Sequence, residues 1–202
     1  MRRSIAVVGA ALLLTAGSAA AQETGMPVYW APYRAFDQHE IGGTVSFPDG
    51  GTGFEGFYGF GAGKLDLGLR GGFWSPGNNA KTRILVGVHG RQRVITQSDD
   101  FPIDGAVVLG VGAQLVSDSV ENSVLLIPAG LSLGHRFNIE NSNVSIVPFV
   151  QPSIFLAFND GTDVLFAFGF GADFRLSKAL DARISVGLGD VAGVALGAVW
   201  VH

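Results

Sequence analysis

Residues 164–176, VLFAFGFGADFRL, alternate between two kinds of side chain along their whole length. Successive side chains of a β-strand point to opposite faces of a sheet, so this alternation predicts a strand. One face is apolar and largely aromatic, and it comprises Phe166, Phe168, Phe170, Ala172, Phe174 and Leu176. The other face is mostly small or charged, and it comprises Leu165, Ala167, Gly169, Gly171, Asp173 and Arg175.

Glycines on the second face argue against a water-soluble sheet. A glycine at a water-facing strand position weakens the strand, because it costs backbone entropy and packs nothing. A closed barrel with lipid outside and a narrow interior explains the pattern better, since its inward side chains must be small or paired. The alternation recurs in other apolar runs and predicts the following lipid-facing residues: Leu67, Leu69, Val86, Leu131, Phe166, Phe168, Phe170, Ile184 and Leu196.

Ten apolar runs, separated by the Gly, Pro, Asn and Asp residues that turns need, follow residue 39. They span residues 40–47, 53–62, 64–74, 82–95, 103–117, 122–137, 143–158, 162–176, 180–188 and 191–201. An even number of strands returns both ends of a barrel to the same side, as in bacterial single-chain barrels. We therefore predict an all-β fold, a closed antiparallel up-and-down transmembrane β-barrel of about eight to ten strands, with ten favoured. Eight strands is the alternative, because the first run is weak and the final two runs are short.

The composition also favours strands that cross a membrane. Apolar residues make up 48% of the 202-residue chain and charged residues only 15%, whereas globular chains carry roughly 25% charged residues. Outside the N-terminus the sequence has no uninterrupted apolar run of about 18 residues, which is the length that a membrane-spanning helix needs. The alternative is a large soluble β-domain with a rich apolar core.

The N-terminus has the three parts of a secretory signal peptide. Arg2 and Arg3 provide the positive charge, residues 5–16 form the apolar core, and residues 19–21 form a small-residue cleavage site before Gln22. We predict a signal peptide over residues 1–21, a lead-in segment at the barrel rim over residues 22–39, and the barrel domain over residues 40–202. The chain has no cysteine, which excludes disulfides and a lipid anchor on cysteine.

The lead-in segment carries aromatic residues without a period of two: Tyr29, Trp30, Tyr33 and Phe36. Aromatic rings are enriched at the membrane boundary, so we expect these rings to pack at the rim or the interface. The run 143–158 also departs from a regular strand, because it contains Pro148 and Pro152. Proline has no N–H to donate to a ladder, and we expect a bulge or distortion there.

Charged side chains of the strands fall on the face opposite the apolar one. This predicted lumen charge network comprises Asp66, Arg70, Arg83, His89, Arg91, Arg93, Arg136, Asp173, Arg175 and Arg183. An arginine on the lipid face near the bilayer midplane would cost about 2–4 kcal/mol, whereas inside the barrel it can pair with a carboxylate. We expect the arginines to pair with Asp66, Asp173 and Glu55 and to plug the interior. A pore selective for anions is the alternative.

The sequence contains no recognisable catalytic constellation. The histidines are His39, His89, His135 and His202, and none has the spacing of a zinc-binding helix or lies two residues before a serine. The Gly-x-Gly pairs lack a following helix, so they indicate barrel curvature and not a phosphate-binding loop. We predict no enzyme activity, no cofactor and no metal site. The formal net charge of −4 does not suggest nucleic-acid binding, which needs basic patches.

The chain combines alternating apolar runs with an N-terminal export signal. Over residues 40–202 it resembles the small outer-membrane β-barrel proteins of Gram-negative bacteria, of the OmpA transmembrane-domain, OmpX and OmpW kind. The resemblance rests on tight corners followed by apolar strands at residues 63–73 and 177–188, and on a last run that ends in Val199, Trp200, Val201 and His202. It implies location in the bacterial outer membrane, contact with outer-membrane lipid, and insertion by the barrel-assembly machinery, which reads the final strand.

The function expected from these features is a structural or surface role, with an interior plugged by charged pairs. One alternative is a small pore for ions or small hydrophobic molecules. Another is a soluble periplasmic β-barrel that binds an apolar ligand. The sequence leaves the oligomeric state and any ligand open.

Overall fold

The structure is a computed structural model that describes residues 23–33, 36–48, 50–77, 80–116, 119–142 and 144–202. The predicted signal peptide, residues 1–21, lies outside the described residues. Within them the fold is all-β, and no helix there is long and apolar enough to cross a bilayer.

The described chain forms eleven strands. They are β1 (His39–Pro48), β2 (Gly51–Ala62), β3 (Leu65–Pro76), β4 (Arg83–Ile95), β5 (Asp104–Val116), β6 (Ser119–Gly134), β7 (Phe137–Asn138), β8 (Ser145–Phe158), β9 (Thr162–Arg175), β10 (Leu180–Gly189) and β11 (Gly193–Val201). Each long strand pairs antiparallel with its neighbours in sequence, β1 pairs with β11, and β6 pairs with β8. The ten long strands therefore close into an up-and-down barrel, which confirms the ten-stranded prediction over the eight-stranded alternative.

The extra strand, β7, continues the line of β6. Gly134 of β6 pairs with Phe149 of β8, and Phe137 of β7 pairs with Ile146 of β8 in the same register. Between them the His135 N–H donates to the Pro148 carbonyl at 3.1 Å. Because Pro148 has no N–H to return, the ladder is interrupted at this point.

Of the bulge or distortion predicted at the two prolines of β8, the structure shows a distortion of the ladder and no register shift. The register between β8 and β9 is continuous from Ser145 to Phe158. The interruptions lie on the side of β6, where pairing is also missing between Gly130 and Leu133, opposite Pro152. Register shifts occur in other strands: one lies in β4, between Arg93 and Ile95, and one lies in β5, between Gln114 and Val116. The prolines weaken the seam that closes the barrel and leave the neighbouring pair intact.

Burial alternates along the strands and separates an inner from an outer face. In β9, Phe166 is 61% exposed, whereas Leu165 and Ala167 beside it are buried. Among the strand residues whose side-chain burial the structure describes, every Asp, Glu, Lys and Arg belongs to the inward-pointing set, and the outward-pointing set has none. The other strands thus share with β9 the alternation of an outer apolar face and an inner face that carries the charged residues.

Residues 23–31 of the lead-in segment lie inside the barrel and not at the rim, the position predicted for the whole segment, whereas Asp37 and Gln38 are exposed. Met26, Tyr29 and Trp30 are at most 1% exposed and pack inside the barrel against side chains of the surrounding strands. The described residues 23–33 form turns and extended chain, with no helix. A barrel of ten strands is wider than one of about eight, whose own side chains fill the interior. The lead-in segment occupies the additional space.

Candidate functional site

Trp30 lies at the centre of the barrel interior, within a shell of positive charge. Its ring faces the guanidinium groups of Arg183, Arg70 and Arg91, whose central carbons lie 4.5, 4.9 and 5.2 Å from the ring centroid. Phe57 approaches edge-on at 4.7 Å. The negative face of an indole attracts cations, so one aromatic side chain of the lead-in organises three arginines of the wall.

Carboxylates compensate the same arginines from the other side. Arg70 lies 3.2 Å from Glu23 and 3.7 Å from Glu55. Arg91 Nε donates to Asp66 at 2.6 Å. All of these side chains are buried, and in the interior each ion needs such a partner because desolvation of an unpaired ion costs several kcal/mol.

Two more groups complete this central network. Arg183 Nε donates to both oxygens of Asp173 at 3.0 Å, and its Nη2 lies 3.4 Å from Glu40. His89 lies between Glu23 and Asp66, with Nδ1 3.3 Å from one carboxylate and Nε2 3.7 Å from the other. The network therefore joins β1, β2, β3, β4, β9 and β10 to the lead-in segment.

The remaining members of the predicted lumen network lie nearer the barrel ends. Arg83 is half-buried, donates to Gln114 at 2.8 Å and covers the Trp74 ring at 5.3 Å. Arg93 lies toward the opposite end, where it pairs with the exposed Asp37 at 3.0 Å.

Tyr33 organises the last two predicted arginines. The guanidinium of Arg136 lies 4.3 Å from the Tyr33 ring centroid, and that of Arg175 lies 5.0 Å from it. The predicted lumen residues thus form one central network and separate groups at the two ends.

Hydrogen bonds from wall side chains fix the backbone of the lead-in segment. The Thr24 carbonyl accepts a hydrogen bond from the Gln114 side chain, and the Pro27 carbonyl accepts one from Ser185. The Trp30 carbonyl accepts one from Ser132, and the Ala31 carbonyl accepts one from Arg91. Four different strands supply these donors. The segment is therefore held at four positions, and these carbonyl groups are satisfied where water is excluded.

Apolar contacts and glycines complete the packing around the segment. Tyr29 packs with Phe149 and Phe155 in one buried cluster, and Met26 and Trp30 pack in another. Gly169 of β9 leaves room for the Tyr29 ring, since a Cβ at Gly169 would lie 2.1 Å from the ring atom Cδ1. Several inward glycines, among them Gly53, Gly169 and Gly187, are thus sites of close approach to the lead-in segment.

The residues predicted to face lipid lie on the outer wall. Eight of them are exposed: Leu67, Leu69, Val86, Leu131, Phe166, Phe168, Phe170 and Leu196. Ile184 is half-buried on the same face, between Ala172 and Leu196 of the neighbouring strands.

Sequence reasoning missed several residues of the interior. Glu40 lies on the inward face of β1, and the alternation of that run could have identified it. Glu23 and Trp30 lie in a segment without periodicity, so no local signal marked them as interior residues. No group of three or more potential metal ligands is present in the described residues. The arrangement neutralises charge and holds a segment in place.

Neither of the sequence comparisons identifies a family for this chain. No protein-family model matches it, and no curated protein matches it significantly. The assignment of function therefore depends on the geometry.

Proposed function

We propose that this chain is an outer-membrane β-barrel protein with a structural or surface role, whose interior is plugged by its own lead-in segment and by arginine–carboxylate pairs. The observation that supports the proposal is the apolar character of the outer wall. Every one of the eleven strands contributes a large exposed apolar side chain, from Ile41 in β1 to Trp200 in β11. Soluble monomers rarely expose a contiguous apolar patch larger than a few hundred Å².

The dimensions of the strands agree with this proposal. A strand needs about 9–11 residues to cross the hydrocarbon layer at a tilt, and the long strands contain 9 to 16 residues. Closure of the ladder leaves no free sheet edge, as a spanning sheet requires. The N-terminal sequence supports export by a cleavable signal peptide, and the resemblance to small outer-membrane barrels supports insertion by the barrel-assembly machinery.

Membrane extraction combined with heat-modifiable gel migration tests the location. We expect the protein in the membrane fraction, released only by detergent, with the unheated folded barrel migrating differently from the heated chain. Recovery of the folded protein in a detergent-free periplasmic fraction would overturn the membrane proposal. That result would favour the soluble barrel that binds an apolar ligand.

Planar-bilayer conductance tests the plug. The buried lead-in segment and the paired charges favour a closed interior, so we expect no conductance steps from the native protein. The double variant Tyr29→Ala, Trp30→Ala removes the two largest rings from the centre, and we expect it to conduct. Regular steps from the native protein would favour the pore for ions or small molecules.

A further inference from the structure

A cavity of about 570 Å³ opens at the barrel end where β1 begins and β11 ends. It lies between the lead-in segment and the chain that joins β7 to β8, and it reaches the turn between β9 and β10. Tyr33, Ser145, Arg175 and Lys178 contribute to its lining. The cavity is separate from the central network around Trp30, and nothing in the proposed function uses it.

Arg175 has a positive charge without a carboxylate partner among the residues that the structure describes. Its guanidinium stacks on Tyr33, and its Nε is buried without a hydrogen-bond acceptor there. Arg136 approaches the same ring at 4.3 Å, and its Nε is likewise buried without an acceptor in the described chain. The guanidinium groups of Arg175 and Arg136 thus contact the same Tyr33 ring, and each has an Nε–H donor without an acceptor within the described part of the chain.

Ser145 provides a second, independent observation. Its hydroxyl is buried without a hydrogen-bond partner in the described part of the structure, although the residue lines the cavity. Ser145 of β8 lies directly across from Arg175 of β9 in the strand register. Directly opposed residues have Cβ atoms about 4.5–5.5 Å apart. The Ser145 hydroxyl and the Arg175 guanidinium, each with an unpaired hydrogen-bonding group among the described residues, are thus neighbours on one wall of the cavity.

Three carboxylates near the cavity interact with other groups. Asp37 lines the cavity but pairs with Arg93 at 3.0 Å. Asp173, two residues before Arg175, accepts the hydrogen bonds of Arg183. Asp181, across from Arg175 on β10, interacts electrostatically with Arg183. The positive charge of Arg175 is therefore available to an anion that enters the cavity.

We propose that this cavity binds a phosphate group, with Arg175 and Ser145 as its donors. A guanidinium suits this role because its planar fork matches phosphate oxygens and remains charged at every physiological pH. Tyr33 positions the guanidinium groups, and the Lys178 ammonium adds positive charge at the opening. The phosphate belongs either to a small soluble molecule or to a lipid headgroup. The site does not depend on membrane insertion.

Calorimetric titration of the purified full-length mature chain in phosphate-free buffer tests the site, in dodecyl maltoside micelles if the barrel needs detergent. The probes are inorganic phosphate, glycerol 3-phosphate and phosphatidic acid carried in micelles. We expect saturable binding of at least one probe. Binding of the lipid alone identifies a headgroup site, and binding of the soluble probes identifies a site for a free phosphate.

Matched variants make the test specific. We expect Arg175→Gln to weaken binding at least about tenfold, because a charge-assisted bond is lost. Ser145→Ala should weaken binding less and provides the test if Arg175→Gln does not fold. Arg83→Gln, at the other end of the barrel, should bind like the native chain. Absence of saturable binding for all probes, or native affinity in both cavity variants, would overturn the proposal.

Discussion

Glu23 Oε2 lies 3.2 Å from Arg70 Nη1, and both side chains are buried inside the barrel. Arg70 belongs to β3, whereas Glu23 belongs to the lead-in segment, so this ion pair ties the segment to the wall. The same guanidinium lies 3.7 Å from Glu55 of β2. One cation therefore compensates two buried carboxylates, which makes its removal more harmful than the loss of a single contact.

Substitution of Arg70 by methionine should strongly destabilise the barrel. Arg70→Met keeps an unbranched apolar stem but leaves the carboxylates of Glu23 and Glu55 without this cation. Removing one member of a buried pair costs about 3–5 kcal/mol, and we expect the free energy of unfolding to fall by that amount. Urea denaturation in micelles, followed by circular dichroism, measures the change.

Arg83→Met is the matched control for that variant. Arg83 is half-buried and bonds to the neutral Gln114, so its loss should cost about 1 kcal/mol. Equal effects of the two substitutions would mean that the central network contributes nothing special to stability.

Trp30→Leu tests whether the indole ring organises the interior. The smaller side chain leaves a void and removes the ring face from Arg70, Arg91 and Arg183, so we expect a loss of about 3 kcal/mol in stability. Trp200→Leu is the control, since Trp200 is 56% exposed on the outer wall and leucine keeps that wall apolar. A loss for Trp200→Leu as large as that for Trp30→Leu would contradict the central role of Trp30.

The wall of this barrel could be predicted from the sequence because a strand has a period of two. Arg70 of β3, Arg83 of β4 and Arg175 of β9 each stand next to an apolar residue, so their face followed from their position in the run. The turns were marked by Gly, Pro, Asn and Asp. These local rules give strands and faces, and the even strand count then favours closure.

The contents of the barrel could not be predicted in the same way. Residues 23–33 have no regular secondary structure, so neither a period nor a propensity marks their position. Their burial depends on the diameter of the closed barrel and on inward glycines that are far apart in sequence. The aromatic residues there suggested the membrane boundary, whereas Tyr29 and Trp30 pack in the interior. The prolines of β8 likewise interrupt the pairing between β6 and β8. This pairing forms only when the barrel closes, so the sequence of β8 alone does not show which neighbour is affected.

The inward and outward glycines should differ sharply in their tolerance of a methyl group. A Cβ at Gly169 would lie 2.1 Å from the Tyr29 ring, whereas the nearest atom to a Cβ at Gly56 lies 3.8 Å away. We expect Gly169→Ala to lower stability by about 1–3 kcal/mol through overpacking. Gly56→Ala should stay within about 0.5 kcal/mol of the native chain. The same urea titration compares them, and a neutral Gly169→Ala would mean that the lead-in segment lies elsewhere.

An arginine on the outer wall distinguishes a lipid environment from water. Leu69 lies in the middle part of β3 and is 57% exposed. In a bilayer, Leu69→Arg should lower the free energy of unfolding by about 2–4 kcal/mol, because the charge would enter hydrocarbon. In water the same substitution at an exposed position should change stability by less than about 0.5 kcal/mol. Folding into phospholipid vesicles, measured against the loop variant Asn159→Arg, separates these outcomes. If both variants fold into vesicles with equal stability, the outer wall does not face the hydrocarbon layer.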